Sequence, residues 1–266
     1  MINWVLFKRE LKNSLKLFLI FLAILFLYAG MVTAMFDPAV GDSLNKMAEG
    51  MPQLFAAFGM ANVGATLLEF CINYLYNFIF VALPAVFIII LANRLVVSYV
   101  EKGSMAYLLS TPNTRKVIAG TQLRVISLLV FILTALTALF TWYMAEYFFP
   151  GQLEQEKFIL LNVALFGLLF FLTGLCFCTS CIFNEAKLSY TIGGGLVVVF
   201  TLLDMLSQIG DKFEFLKYAT PFTLFNTEAI ATGNSEAIWM FLILYLGGIV
   251  FSFIGIQIFA KKDMPL

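Results

Sequence analysis

The sequence predicts an all-α integral membrane protein with six transmembrane helices and both termini in the cytoplasm. Three observations carry that reading. The 266 residues are 62% hydrophobic and only 12% charged, whereas soluble domains are about 45–50% apolar and about 25% charged. Six apolar stretches each reach the roughly 20 residues needed to cross about 30 Å of hydrocarbon. Basic side chains then divide unequally between the polar connections, which orients the spans. A water-soluble fold would leave this excess of apolar surface exposed in large patches.

The stretches cover about residues 15–36, 71–97, 123–145, 158–183, 190–209 and 237–260, and the whole chain, 1–266, reads as a single transmembrane domain. The first contains Val32-Thr33-Ala34, which loosely resembles a signal-peptidase site. Its apolar run is longer than the roughly 7–15 residues of a signal-peptide core, so it reads as an uncleaved anchor. Placing the termini and the 98–122 and 184–189 connections on one side gathers twelve basic residues there: Lys8, Arg9, Lys12, Lys16, Arg94, Lys102, Arg115, Lys116, Arg124, Lys187, Lys261 and Lys262. Only Lys46, Lys157, Lys212 and Lys217 fall on the other. The side rich in Lys and Arg is the cytoplasmic one.

Two segments lie outside. In Ser43–Met60, Leu44, Met47, Met51, Leu54, Phe55 and Phe58 recur at helical spacing. They predict one or two amphipathic helices on the outer surface, the second starting at Pro52; a gate over an exit path is the alternative. Gly210–Glu236 is too aromatic for a solvated loop and is expected to fold back on the spans or the outer interface.

The chain has no histidine, which excludes H-E-x-x-H chemistry and any histidine triad. There is no G-x-x-x-x-G-K-[ST] phosphate cradle, and no nucleic-acid partner is expected. Cys71, Cys176, Cys178 and Cys181 read as small buried hydrophobes, because no nearby ligand completes a C-x-C-x-x-C metal site. Asp204 is the acidic residue closest to a span interior. Ion-coupled transport places ionisable groups within the membrane, so the energy source is expected elsewhere.

Mild polar stripes mark three spans. Glu69, Asn73 and Asn77 follow i, i+4, i+8 spacing, which predicts one shared face. Thr134, Thr137 and Thr141 form a second stripe, and Thr201, Asp204 and Ser207 or Gln208 a third. Each is either helix-to-helix bonding of about 0.6 kcal/mol per contact or the wall of a weakly polar path. Gly193-Gly194-Gly195 allows close backbone approach, and Gly248 and Ser252 form a small-xxx-small pair flanked by Gly247 and Gly255.

Between the second and third spans lies Glu101-Lys-Gly-Ser-Met-Ala-Tyr-Leu-Leu-Ser-Thr-Pro-Asn-Thr-Arg115. Gly103 permits a tight turn, Ser104 is suited to cap a short helix over Met105–Leu109, and Pro112 ends it. Tyr107, Leu108 and Leu109 offer an apolar anchor. Thr114 is placed to cap the helix that follows, and Arg115 and Lys116 suit headgroups or an acidic partner surface.

Glu101, Gly103, Leu108, Leu109, Ser110, Pro112, Thr114 and Arg115 as they stand resemble the cytoplasmic signature of ABC-2-type transporter permeases. The opening Phe7-Lys8-Arg9-Glu10-Leu11-Lys12 resembles the amphipathic N-terminal helix of that family, and Phe259-Ala-Lys-Lys-Asp-Met-Pro-Leu266 its short basic tail. The resemblance implies a non-catalytic permease of a bacterial ABC exporter, multi-pass in the cell membrane. It would carry no cofactor of its own, ATP and Mg being held by separate ABC ATPase subunits. A second permease copy or a homologous permease would complete it within the lipid bilayer.

By that resemblance Glu101, Gly103, Ser104, Met105, Tyr107, Leu108, Leu109, Pro112, Thr114 and Arg115 form the ATPase-coupling element. An interfacial helix bearing Trp4, Phe7, Lys8, Arg9 and Leu11, with Trp4, Phe7 and Leu11 on one face, would add contacts. Apolar walls with sparse polar stripes point to an amphipathic or lipid-like cargo, such as an antimicrobial peptide. The alternative is a membrane scaffold or sensor that docks a cytoplasmic partner through the same loop.

Overall fold

In a computed structural model, residues 3–37, 50–51, 66–110, 112–208, 211–234 and 236–263 are described; the expected Ser43–Met60 helices fall outside them apart from Gly50 and Met51. The first span is one helix, α1 (Trp4–Ala34), whose N-terminus is capped by the Asn3 carboxamide accepting from Leu6 N at 3.0 Å. The interfacial helix expected to bear Trp4, Phe7, Lys8, Arg9 and Leu11 is continuous with this span and forms its first turns. The face also differs. Leu6, Glu10 and Ser14 continue the buried stripe of Phe18, Phe21, Leu25, Ala29 and Thr33, while Trp4 is 63% exposed and Phe7 and Leu11 are only half-buried. An unbroken helix keeps one packed stripe along its length, so the span dictates the face of the leading turns.

The second span is assembled from α2 (Leu67–Cys71), a π turn over Ile72–Tyr76, α3 (Ile79–Leu95) and α4 (Val97–Glu101). Thr66 and Glu69 start it with a reciprocal capping box. Helix α5 (Met105–Leu109) follows, and α6 (Arg115–Phe148) forms the third span, capped by Thr114 accepting from Val117 N at 3.4 Å. The fourth span is α7 (Gln155–Ile182); α8 (Ala186–Ser189), a π turn over Tyr190–Gly194 and α9 (Gly195–Ser207) make the fifth. Two 3₁₀ segments, Asp211–Ala219 and Pro221–Leu224, and α10 (Thr227–Ala231) lead to the sixth, α11 (Glu236–Lys261). Among the described residues, six helices are long and apolar enough to cross a membrane.

Helix α7 is the centre of the bundle, packing against α11, α3 and α6, while α1 lies against α6 and α3. Of the most apolar stretch of each span, 61% is buried inside the bundle for α7 but 17% for the fifth. Glycine sets the seam between α7 and α11. A Cβ on Gly174 would stand 2.5 Å from the Gly248 carbonyl oxygen, and Gly247, Gly248 and Gly255 lie under the rings of Phe171, Phe170 and Phe177. The small residues of the sixth span thus receive bulky rings of the fourth. All four cysteines are free and buried. The 211–231 segment folds back on the spans: Phe222 and Phe225 are buried, and the Thr220 hydroxyl donates to Phe200 O at 3.1 Å.

Candidate functional site

Two places gather the predicted residues, one at each end of the bundle. At the end carrying both described chain ends lies the 101–115 element. Gly103 has φ +67°, the left-handed turn that glycine adopts without strain, and it turns the chain out of α4 into α5. Helix α5 has the expected bounds, Met105–Leu109. Its start differs from expectation: Ser104 has helical dihedrals and makes no side-chain cap, and its hydroxyl instead donates to Tyr99 O at 3.2 Å. Met105 is buried, Leu108 and Leu109 pack partly into the core, and Tyr107 alone of the apolar trio stands out, 79% exposed. Pro112 and Thr114 are exposed beyond the helix.

The two charged ends of this element are tied within the chain. A Glu101 carboxylate oxygen accepts from Ala186 N at 3.3 Å, at the start of α8. An Arg115 guanidinium N–H donates to Lys262 O at 2.6 Å, which ties the half-buried Arg115 to the C-terminal segment; Lys116 is exposed. The Lys262 amine in turn donates to Cys181 O and Phe183 O beyond the last turn of α7. Cations suit a helix C-terminus, although burial pulls this amine below the ordinary lysine value. The leading turns of α1 join the same cluster. The Tyr99 hydroxyl donates to Glu10 Oε1 at 2.7 Å, Arg94 donates to Asn13 O at 3.0 Å, and Asn3 N donates to Thr121 Oγ1 at 3.2 Å. Lys8 and Arg9 are exposed.

Glu10, Tyr99 and Lys262 were not singled out from the sequence. Glu10 had a legible signal, since it falls on the Leu6–Ser14 stripe at four-residue spacing. Tyr99 and Lys262 act through distant partners that spacing does not encode.

At the opposite end, Asn77, Thr201 and Asp204 line one narrow cleft with Val81, Gln208 and Phe222. It adjoins a wider polar space of about 310 Å³ between the second and fifth spans and the 217–228 segment, to which Lys217, Asn226 and Glu228 contribute. Thr227 Oγ1 and Asn77 Oδ1 are bonded at 3.0 Å, and Gln208 Nε2 donates to Asp204 Oδ2 at 3.0 Å. Lys217 pairs with Glu214 in the exposed segment, which holds the Glu214 carboxyl below and the Lys217 amine above their ordinary values.

The other predicted stripe residues sit elsewhere. Glu69 belongs to the capping box, and Asn73 is buried, away from the cleft that Asn77 lines. The expected common face is lost because the π turn carries each N–H to the fifth carbonyl back, as in Asn77 N to Ile72 O at 3.0 Å, and so rotates Asn77 away from helical register with Glu69. Thr134, Thr137 and Thr141 are buried, and their hydroxyls donate to the carbonyls of Val130, Leu133 and Thr137 one turn back. They line no part of the cleft between the second and fifth spans. Among the described residues, no group of three His, Cys, Asp or Glu side chains is placed to hold a metal ion.

A search of curated proteins finds no match. A family model described as ABC-2 family transporter protein matches residues 4–264. With six apolar helices and a family match over nearly its whole length, the chain belongs to the ABC-2 transporter family and is a membrane permease of an ABC transporter.

Proposed function

We propose that this permease is the membrane subunit of an ATP-driven exporter in the cell membrane. Both termini and the 101–115 element face the cytoplasm, as the division of basic residues indicates. Separate ABC ATPase chains, holding ATP and Mg, dock on α5 and on the first turns of α1, and a second permease copy or a homologous permease completes the path. The whole chain acts as one transmembrane domain. Glu101, Gly103, Thr114 and Arg115 hold the element in place, and Tyr107 makes the outward contact.

The cargo is amphipathic or lipid-like, and it leaves past Asn77, Thr201 and Asp204. The observation that carries this reading is the convergence of those three residues, from two separate spans, on one cleft lined by both apolar and polar side chains, at the end opposite the coupling element.

The test uses the full permease reconstituted with its partner ABC ATPase. Tyr107→Asp places a charge on the exposed face of α5 without disturbing the packed Met105, Leu108 or Leu109. Permease-stimulated ATP turnover should fall by about tenfold, the effect of losing roughly 1.4 kcal/mol at an interface, while the permease stays folded by size exclusion. Turnover at the unmodified level would refute the docking role of α5.

A further inference from the structure

A further cavity in the bundle lies outside the cleft assigned to cargo. It is a groove of about 550 Å³ on the outer surface of α6 and α7, within the roughly 300–1,000 Å³ of small-molecule sites. Its form follows from the sequence of α6. Phe131, Ala135, Ala138 and Trp142 fall on one helix face, and two alanines between two large rings leave a hollow. Gln155 to Phe166 of α7 forms the facing wall.

The polar groups along it are bonded within the protein. Asn162 accepts from the Tyr76 hydroxyl at 3.0 Å and donates to Phe158 O at 2.8 Å. The Thr134 hydroxyl donates to Val130 O, and that of Tyr245 to Val163 O at 2.8 Å. The occupant therefore meets a mostly apolar wall whose polar groups already have partners within the protein, with Trp142 and Gln155 at its mouth.

Length decides what the occupant is. From Trp142 to Phe131 is eleven residues, or about 16 Å of helix, and Gln155 to Phe166 is the same. A single leaflet contributes about 15 Å of hydrocarbon, half the bilayer core. Tyr143 and Tyr147, 58% and 69% exposed, stand beside the mouth, where aromatic belts meet headgroups. A transmembrane helix of a second copy crosses both leaflets and would need a groove twice as long.

We infer that this groove holds one acyl chain of a phospholipid from the leaflet on the side away from the chain termini, its headgroup at Trp142 and Gln155. The lipid is a resident of the permease and not its cargo. The inference rests on the membrane-spanning fold and is independent of the proposed export path.

The test is native mass spectrometry of the full chain, purified in detergent and titrated with palmitoyl-oleoyl phosphatidylglycerol. Wild type should retain one phospholipid per chain. Ala138→Trp fills the hollow and should lower retention at least tenfold, and Ala138→Leu should lower it by less. Leu202→Trp, on the thinly packed fifth span, should leave it unchanged. The added lipid should also raise the melting temperature of wild type and Leu202→Trp but not of Ala138→Trp. If Ala138→Trp does not fold, the intermediate loss in Ala138→Leu carries the test. Equal retention in wild type and Ala138→Leu, or no retained lipid in wild type, overturns the inference. So does loss of self-association in Ala138→Trp with lipid retention unchanged, because the groove would then be an interface between copies.

Discussion

Replacing Gly174 by alanine tests the packing on which the bundle is centred. The added Cβ would meet the Gly248 carbonyl oxygen at 2.5 Å and the Gly248 carbonyl carbon and Cα at 3.2 Å each. All three are backbone atoms, so no side chain can swing aside. The two helices must separate by several tenths of an ångström at their closest point. A radial gap of 0.5–1 Å forfeits about a quarter to a half of each dispersion contact, and overpacking of this kind costs roughly 1–3 kcal/mol. Against this, alanine is favoured over glycine within a helix by up to about 1 kcal/mol. The net effect expected is a destabilisation of about 0–2 kcal/mol, and of about 1–3 kcal/mol relative to an unhindered glycine-to-alanine change in a helix, taking these two terms together. Gly195→Ala is the matched control, because a Cβ there meets nothing within 4 Å; it should be neutral or slightly stabilising. Thermal unfolding of both variants in the same detergent, followed by tryptophan fluorescence, measures the difference. A Gly174→Ala protein as stable as Gly195→Ala would refute the close approach of α7 and α11.

Gln122 is fully buried and neither amide atom has a hydrogen-bond partner among the described residues. A buried unsatisfied polar group costs about 1–3 kcal/mol, so Gln122→Leu should raise the melting temperature, and a lowered one would show that the amide is bonded. Asn77→Ala, Thr227→Ala and the double variant should give a coupling energy of about 0.6 kcal/mol, and no more than about 1.7, in an unfolding cycle. A coupling of zero would mean that α10 does not dock on the second span.

The spans were legible because crossing hydrocarbon demands a minimum apolar length, a constraint that any such chain writes plainly. Helix α5 was legible for a local reason: Gly103 before it and Pro112 after it act through their own backbones. Thr114 capped as expected for the same reason. The misreadings have a common cause. Asn77 was placed on a face with Glu69 by counting at 3.6 residues per turn, and the π turn at Ile72–Tyr76 breaks that count. Trp4, Phe7 and Leu11 look like a stripe over about two turns, but the packed face is set by the next five turns of the same helix. Ser104 has a cap's chemistry without a cap's dihedrals, because its hydroxyl is taken by Tyr99 O. The polar stripes were visible in sequence; only packing separates Thr201 and Asp204, which line a cleft with Asn77, from Thr134, Thr137 and Thr141, which line no part of it.

The tie between Glu101 and Ala186 has a mechanical consequence. Ala186 begins the fifth span, and Asp204 stands near its other end, in the cleft. That span covers 22 residues, about 33 Å at helical rise, and so links the 101–115 element to the cleft at the opposite end. The pair α7 and α11, closed by backbone approach at Gly174 and Gly248, is the frame that holds this span, where Gly193 sits against Thr179 and the Ser180 and Ser189 hydroxyls are bonded at 3.1 Å. Few of its other side chains are buried in the bundle, so on the proposed reading a displacement at Glu101 would be carried to Asp204 by the span's own backbone.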